Sequence, residues 1–130
     1  MMSKKLITIL VLTAFVVLGI AAAKPPEGTH KNLQVLPKDI SDQKLDSMMD
    51  SYNKALGIGC GFCHSPAKNN ADSLDFAIDE NPMKENARKM MRMTIDINKN
   101  NFYFDKSIRP EYLNVVNCKT CHRGEAYPEG

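Results

Sequence analysis

The sequence predicts a mainly α fold, in which two helix–turn units joined by long loops each lead into a Cys-x-x-Cys-His motif. Three observations carry this. Apolar residues recur at helical spacing from position 45 to 56 and again from 83 to 97. Each stretch follows a helix-starting signal, Ser41 in one case and Asn81-Pro82 in the other. All four cysteines fall in two copies of one pattern, Cys60-Gly61-Phe62-Cys63-His64 and Cys118-Lys119-Thr120-Cys121-His122.

Composition sets the frame for these elements. The 130 residues are 43% hydrophobic and 25% charged, which excludes a disordered chain, a collagen and a multi-span membrane protein. There are 17 Lys+Arg against 15 Asp+Glu, and no basic stripe of the nucleic-acid-binding kind. The chain opens with the basic Met1-Met2-Ser3-Lys4-Lys5, runs uncharged from residue 6 to 23, and ends that run with Ala21-Ala22-Ala23. Residues 1–23 therefore read as a secretory signal peptide and residues 24–130 as the exported domain. The apolar run is also near the lower limit for a spanning helix, so an uncleaved inner-membrane anchor is the alternative. Either reading places residues 24–130 outside the cytoplasm, in the periplasm. Losing residues 1–23 removes two lysines and no acid, leaving 107 residues with no net charge. A chain of that size buries only about two thirds of its unfolded surface, so an extra source of core would help it.

The first helix begins after Ser41 and carries Leu45, Met48, Met49, Tyr52, Ala55 and Leu56 on its apolar side. Gly57 and Gly59 end it, and Cys60 follows at once. The second begins with Pro82 and runs to about Lys99. Met83, Ala87, Met90, Thr94 and Ile97 form its stripe, with Met91, Ile95 and Met93 at the flanks. Short helical turns are expected at both cysteine motifs, and Leu33-Gln34-Val35-Leu36 is a candidate short strand.

Cys-x-x-Cys-His is the signature of c-type heme attachment. Two thiols three positions apart on one helical turn reach the two vinyl groups of one heme, and the adjacent histidine supplies the proximal nitrogen to the iron. Cys60 and Cys63 with His64, and Cys118 and Cys121 with His122, are thus the candidate residues for two hemes. Other readings exist for four exported cysteines: two disulfides, two redox dithiols, or one four-thiolate zinc site. The doubled motif, the lack of a spare cysteine and the export signal favour heme. A thioredoxin-like reading would also require a βαβ pattern near the motif, and none is visible. Six methionines lie upstream of the motifs, in the two helices. A methionine stripe is often plain core. Histidine/methionine ligation is also a standard c-type arrangement that raises the reduction potential, so one methionine per helix is a candidate sixth ligand.

These elements run in the order seen in a known family. The chain resembles the multiheme cytochrome subunit of photosynthetic reaction centres, in a short two-heme form, over about residues 31–128. The resemblance rests on Lys31-Asn32-Leu33-Gln34-Val35-Leu36-Pro37, Met48-Met49 on the Ser41 helix, the first motif, Asp75-Phe76-Ala77 and Asn81-Pro82. It continues through Ala87-Arg88-Lys89-Met90-Met91-Arg92-Met93, Ile97-Asn98 and the second motif with Arg123-Gly124. It implies a small diheme cytochrome c domain in which each heme lies parallel to the helix before its motif. It further implies Met49 as the iron ligand of the first heme and Met90 as that of the second, with Met93 the fallback. The family's subunit has four hemes, and this chain has motifs for two. The loop from 102 to 117 holds no histidine, so no bis-histidine site is expected from it. His30 is left over, as a surface or packing residue or else a distal ligand.

The function implied is that of an electron carrier, not an enzyme, because protein ligands on both sides of each iron leave no position open for substrate. A heme enzyme is the rival; it needs a vacant sixth position and nearby acid or base groups, for which His30 alone stands ready. Partners would be redox proteins, either other cytochromes or a membrane electron-transfer complex. Arg109 and Arg123 are the candidate partners for heme propionates, since arginine matches a carboxylate in bidentate geometry.

Overall fold

Ser41 opens helix α1, Asp42–Leu56, with its hydroxyl accepting from the Lys44 N–H at 3.3 Å. Such a cap contributes about 1 kcal/mol. Gly57 closes α1 at φ 65°, in the left-handed region, and its N–H returns to the Asn53 carbonyl. A 3-10 turn, Cys60–Phe62, follows directly and carries the first motif. The computed structural model describes residues 5 and 30–128 of the chain. The signal-peptide or anchor reading of residues 1–23 lies, Lys5 apart, outside the described residues.

Beyond the first motif the chain forms a hairpin that the sequence did not announce. Strand β1, Ser65–Ala67, pairs antiparallel with β2, Asn70–Asp75, and the register breaks between Pro66 and Ala67. Both strands are rich in Ser, Asn, Asp and Pro, which have poor β-propensity, so no strand pattern shows in the sequence. The reverse holds for residues 33–36, expected as a strand and found as bends. Asn32 enters that stretch at φ 65° and Pro37 leaves it without a backbone donor, so it does not extend a ladder; Leu36 is buried instead.

Helix α2 spans Pro82–Asn101, two residues beyond its expected end. Asn81 caps it by accepting from the Met83 N–H at 3.0 Å, and Pro82 takes the first helical position. A 3-10 turn at Pro110–Tyr112 and the short helix α3, Cys118–His122, complete the fold. Helix α3 packs chiefly on α1 and also on α2. The Gly124 N–H just beyond α3 donates to the Ala55 carbonyl at 2.8 Å, and the Gly124 carbonyl stands where a Cβ on Gly57 would be.

The apolar core is small. Among the described residues only Leu36, Ile40 and Ala55 are buried hydrophobic side chains. Three long polar ones, Lys84, Arg88 and Asn98, are buried on α2. Meanwhile Met90 is 46% exposed, Met93 45% exposed, and Phe76 stands out further still. No described helix is long and apolar enough to cross a membrane.

Candidate functional site

The 3-10 turn after α1 gathers Cys60, Cys63 and His64 within one turn of chain. The Asn53 amide lies 3.6 Å from the Cys60 sulfur, and the Asn81 amide donates to the Phe62 carbonyl at 3.0 Å. The turn is thereby fixed to the ends of both long helices. The His64 ring lies edge-on to Phe76, with centroids 4.9 Å apart. Its Nδ1 is buried and meets no partner among the described residues. Burial, then the charges of Lys84 and Arg88, push the His64 pKa down. Both effects favour the neutral ring, the form in which imidazole ligates a metal.

The second motif is helical. Cys118, Cys121 and His122 lie on α3, whose start is braced by the Asn117 N–H donating to the Thr120 hydroxyl at 3.1 Å. His122 Nδ1 is 2.9 Å from the Glu125 carbonyl. A carbonyl only accepts, so Nδ1 carries the hydrogen, and in the neutral ring Nε2 is then the nitrogen with the lone pair. That is the tautomer of a metal-ligating histidine with a backbone support. Burial raises the Cys118 thiol pKa, and it does the same for Cys63. Tyr52, beside Cys118, is pushed well above the ordinary phenol range by burial first and by that thiol second.

A cavity of about 110 Å³ adjoins Cys118 and is lined by Met48, Tyr52, Met91, Ile95 and Val116 among others. The methionines facing it are the sequence neighbours of Met49 and Met90, not those two residues. Successive helical residues point about 100° apart, so Met49 and Met90 lie on other faces. Met49 is half-buried on α1, and Met90 and Met93 are exposed on α2.

Two features of the site escaped the sequence reading. Asn98 is 1% exposed; its amide donates to the Leu113 and Val116 carbonyls at 3.0 and 2.7 Å and its oxygen accepts from the Val116 N–H at 2.8 Å. It fixes the approach to Cys118. The available signal was a polar residue seven positions after Met91 on an inward helix face. The second is the charge cluster on α2. Lys84 and Arg88 both pair with Asp79, and Arg88 and Arg92 pair with Glu85. The expectation that Arg109 is free for a propionate is corrected: it makes a two-pronged ion pair with Asp39, at 2.7 and 3.1 Å. Arg123 sits exposed at φ 52° beyond α3 and makes no ion pair among the described residues. His30 pairs with Asp42 at 2.9 Å, at the start of α1.

All four cysteines are free thiols. Among the described residues no three His, Cys, Asp or Glu side chains gather as a metal site. Residues 17–130 match the family described as photosynthetic reaction centre cytochrome C subunit. The chain belongs to this family. It is 38% identical over 91 residues to cytochrome c-554 of Chloroflexus aurantiacus, covering 70% of this chain and 20% of that one. It is 33% identical over 101 residues to the photosynthetic reaction center cytochrome c subunit of Roseobacter denitrificans, covering 76% of this chain and 25% of the relative. The chain thus spans a quarter or less of the length of these relatives. No solved structure matches it.

A cytochrome c family implies covalently bound heme, and the residues present fit one. His122 donates from Nδ1 to a backbone carbonyl, the surroundings of His64 favour the neutral ring, and the thiols of both motifs are unbridged. The exposed methionines of α2 offer apolar surface of the kind a porphyrin covers.

Proposed function

We propose that this chain is a periplasmic diheme c-type cytochrome that carries single electrons between redox partner proteins. The observation that carries the reading is the His122–Glu125 hydrogen bond at 2.9 Å, which presents Nε2 as a ligand on the same short helix as Cys118 and Cys121. Cys60, Cys63 and His64 repeat the set on the turn after α1, close to the end of α3, where Phe62 packs against Tyr127 at 6.2 Å between ring centroids. Met49 and Met90 are the proposed sixth ligands, with Met93 as the fallback for Met90. A bound heme iron supplies a one-electron couple; every other task falls to the polypeptide. The cysteines would tether the group, the histidines and methionines would ligate its iron, and the helices would shield it from water.

The partners are other cytochromes or a membrane electron-transfer complex. A heme enzyme is the competing class, and ligand access separates the two. The test is the visible spectrum of the purified protein, oxidised and reduced, with heme content per chain. Two hemes per chain, a methionine–iron band at long wavelength and no response to carbon monoxide are the expected results. A carbon monoxide shift in the reduced protein would overturn the carrier reading.

A further inference from the structure

The two motif histidines stand in different surroundings. His122 Nδ1 is supported by the Glu125 carbonyl at 2.9 Å. His64 Nδ1 is buried with no acceptor among the described residues. Behind His64 stands the α2 charge cluster. The Lys84 ammonium donates to the Phe76 and Ile78 carbonyls at 3.0 and 2.6 Å, and so holds the segment whose Phe76 ring packs on His64. Lys84 is 8% exposed and Arg88 7%. Their partners Asp79 and Glu85 are far more exposed, so water screens the acids more than the bases.

Both differences act in one direction. A histidine that donates from Nδ1 to a carbonyl is the more basic ligand at Nε2, and it stabilises the more positive, oxidised metal. A histidine without that acceptor does so less. Buried cations nearby disfavour added positive charge and so favour the reduced metal.

We propose that the two heme sites are ranked, the His64 site having the higher reduction potential and the His122 site the lower, with Lys84 and Arg88 as the positioning residues that hold the ranking. This rests on the diheme reading above. One electron then passes from the His122 site, which is oxidised, to the His64 site, which is reduced; no proton or co-reactant takes part. An electron entering at either motif comes to rest at the first.

The test is a potentiometric titration of the full holo-protein followed by heme-methyl NMR, with the first heme's signals assigned by through-space contact to Phe76. The His64 site should be reduced first, by at least a tenfold preference, which is about 59 mV for one electron. Lys84→Met should lower that site's potential and Asp79→Asn should raise it, with the His122 site unmoved in both. A purely structural role would not give opposite signs. Coincident or reversed potentials, or variants that move together, would overturn the ranking while leaving two hemes in place. One heme per chain would overturn the diheme reading and the ranking with it. If Lys84→Met does not fold, the wild-type order and Asp79→Asn decide.

Discussion

Asn98→Leu is the sharpest probe of how the second motif is held. Asn98 is the one fully buried large side chain among the described residues, and three hydrogen bonds leave its amide for the chain just ahead of Cys118. Leucine has the same branched shape and number of side-chain heavy atoms and is bulkier, so no cavity arises. Each hydrogen bond contributes about 0.5–1.5 kcal/mol net, so roughly 3 kcal/mol is lost, more if the Leu113 and Val116 groups stay dry and unpaired. Against a total of about 5–15 kcal/mol this is a large fraction. The assay is denaturant unfolding of the holo-protein by far-ultraviolet circular dichroism, with intact mass reporting hemes attached. The midpoint should fall at constant slope, and heme should be lost selectively from the Cys118 motif. Asn101→Ala, which removes one exposed bond to the Ile97 carbonyl, is the control and should stay within about 0.5 kcal/mol. A loss below about 1 kcal/mol for Asn98→Leu, or equal heme loss at both motifs, would refute the reasoning.

Gly57→Ala should cost about 2–4 kcal/mol in the same unfolding assay, since alanine is strained in left-handed backbone and its Cβ meets the Gly124 carbonyl; an unchanged midpoint would count against the α1–α3 contact. Arg88 first, then Asn32 and Lys84, hold the Asp79 carboxyl well below the ordinary carboxylate range. Because the unfolded chain then binds more protons, this support is complete above about pH 5 and fades as pH falls below the ordinary carboxylate pKa of about 3.9. Asp79→Asn should therefore be less stable at pH 7 and flatter in its acid unfolding curve. Met49→Ala and Met90→Ala should each remove part of the long-wavelength methionine–iron band and admit carbon monoxide to one heme; if only Met93→Ala does so for the second heme, the fallback is the ligand. Cys60→Ala or Cys118→Ala should give little folded protein, and a fully folded variant lacking both hemes would contradict this.

The helices were legible in the sequence because their signals are local. Ser41, Gly57, Asn81 and Pro82 each do in the structure what their residue type favours. The two Cys-x-x-Cys-His patterns were visible because each lies within five consecutive residues. What stayed hidden depends on partners distant in the chain. The β1–β2 hairpin is made of poor strand formers and exists because its backbone finds a neighbour. Asp39 claims Arg109 across 70 residues, which no pattern near either residue records. Leu33 to Leu36 had the composition of a strand but no partner to pair with among the described residues.

The distribution of burial explains why these hidden contacts are polar. A single-domain chain normally rests on a contiguous apolar core, and here only three described apolar side chains are buried. The interior of α2 is occupied instead by side chains that fix backbone: Lys84 on the carbonyls of Phe76 and Ile78, Asn98 on Leu113 and Val116. These clamps contribute direction more than net stability, since hydrogen bonds exchange with water at small gain. The Lys84 clamp acts on the segment that packs on His64 and the Asn98 clamp on the segment that leads to Cys118. On the reading proposed above, the polypeptide contributes the placement of the two motifs, and hemes attached there would contribute the apolar bulk that the described core lacks. In such a division of labour a clamp and its heme stand or fall together, which is why Asn98→Leu is expected to act on one motif and spare the other.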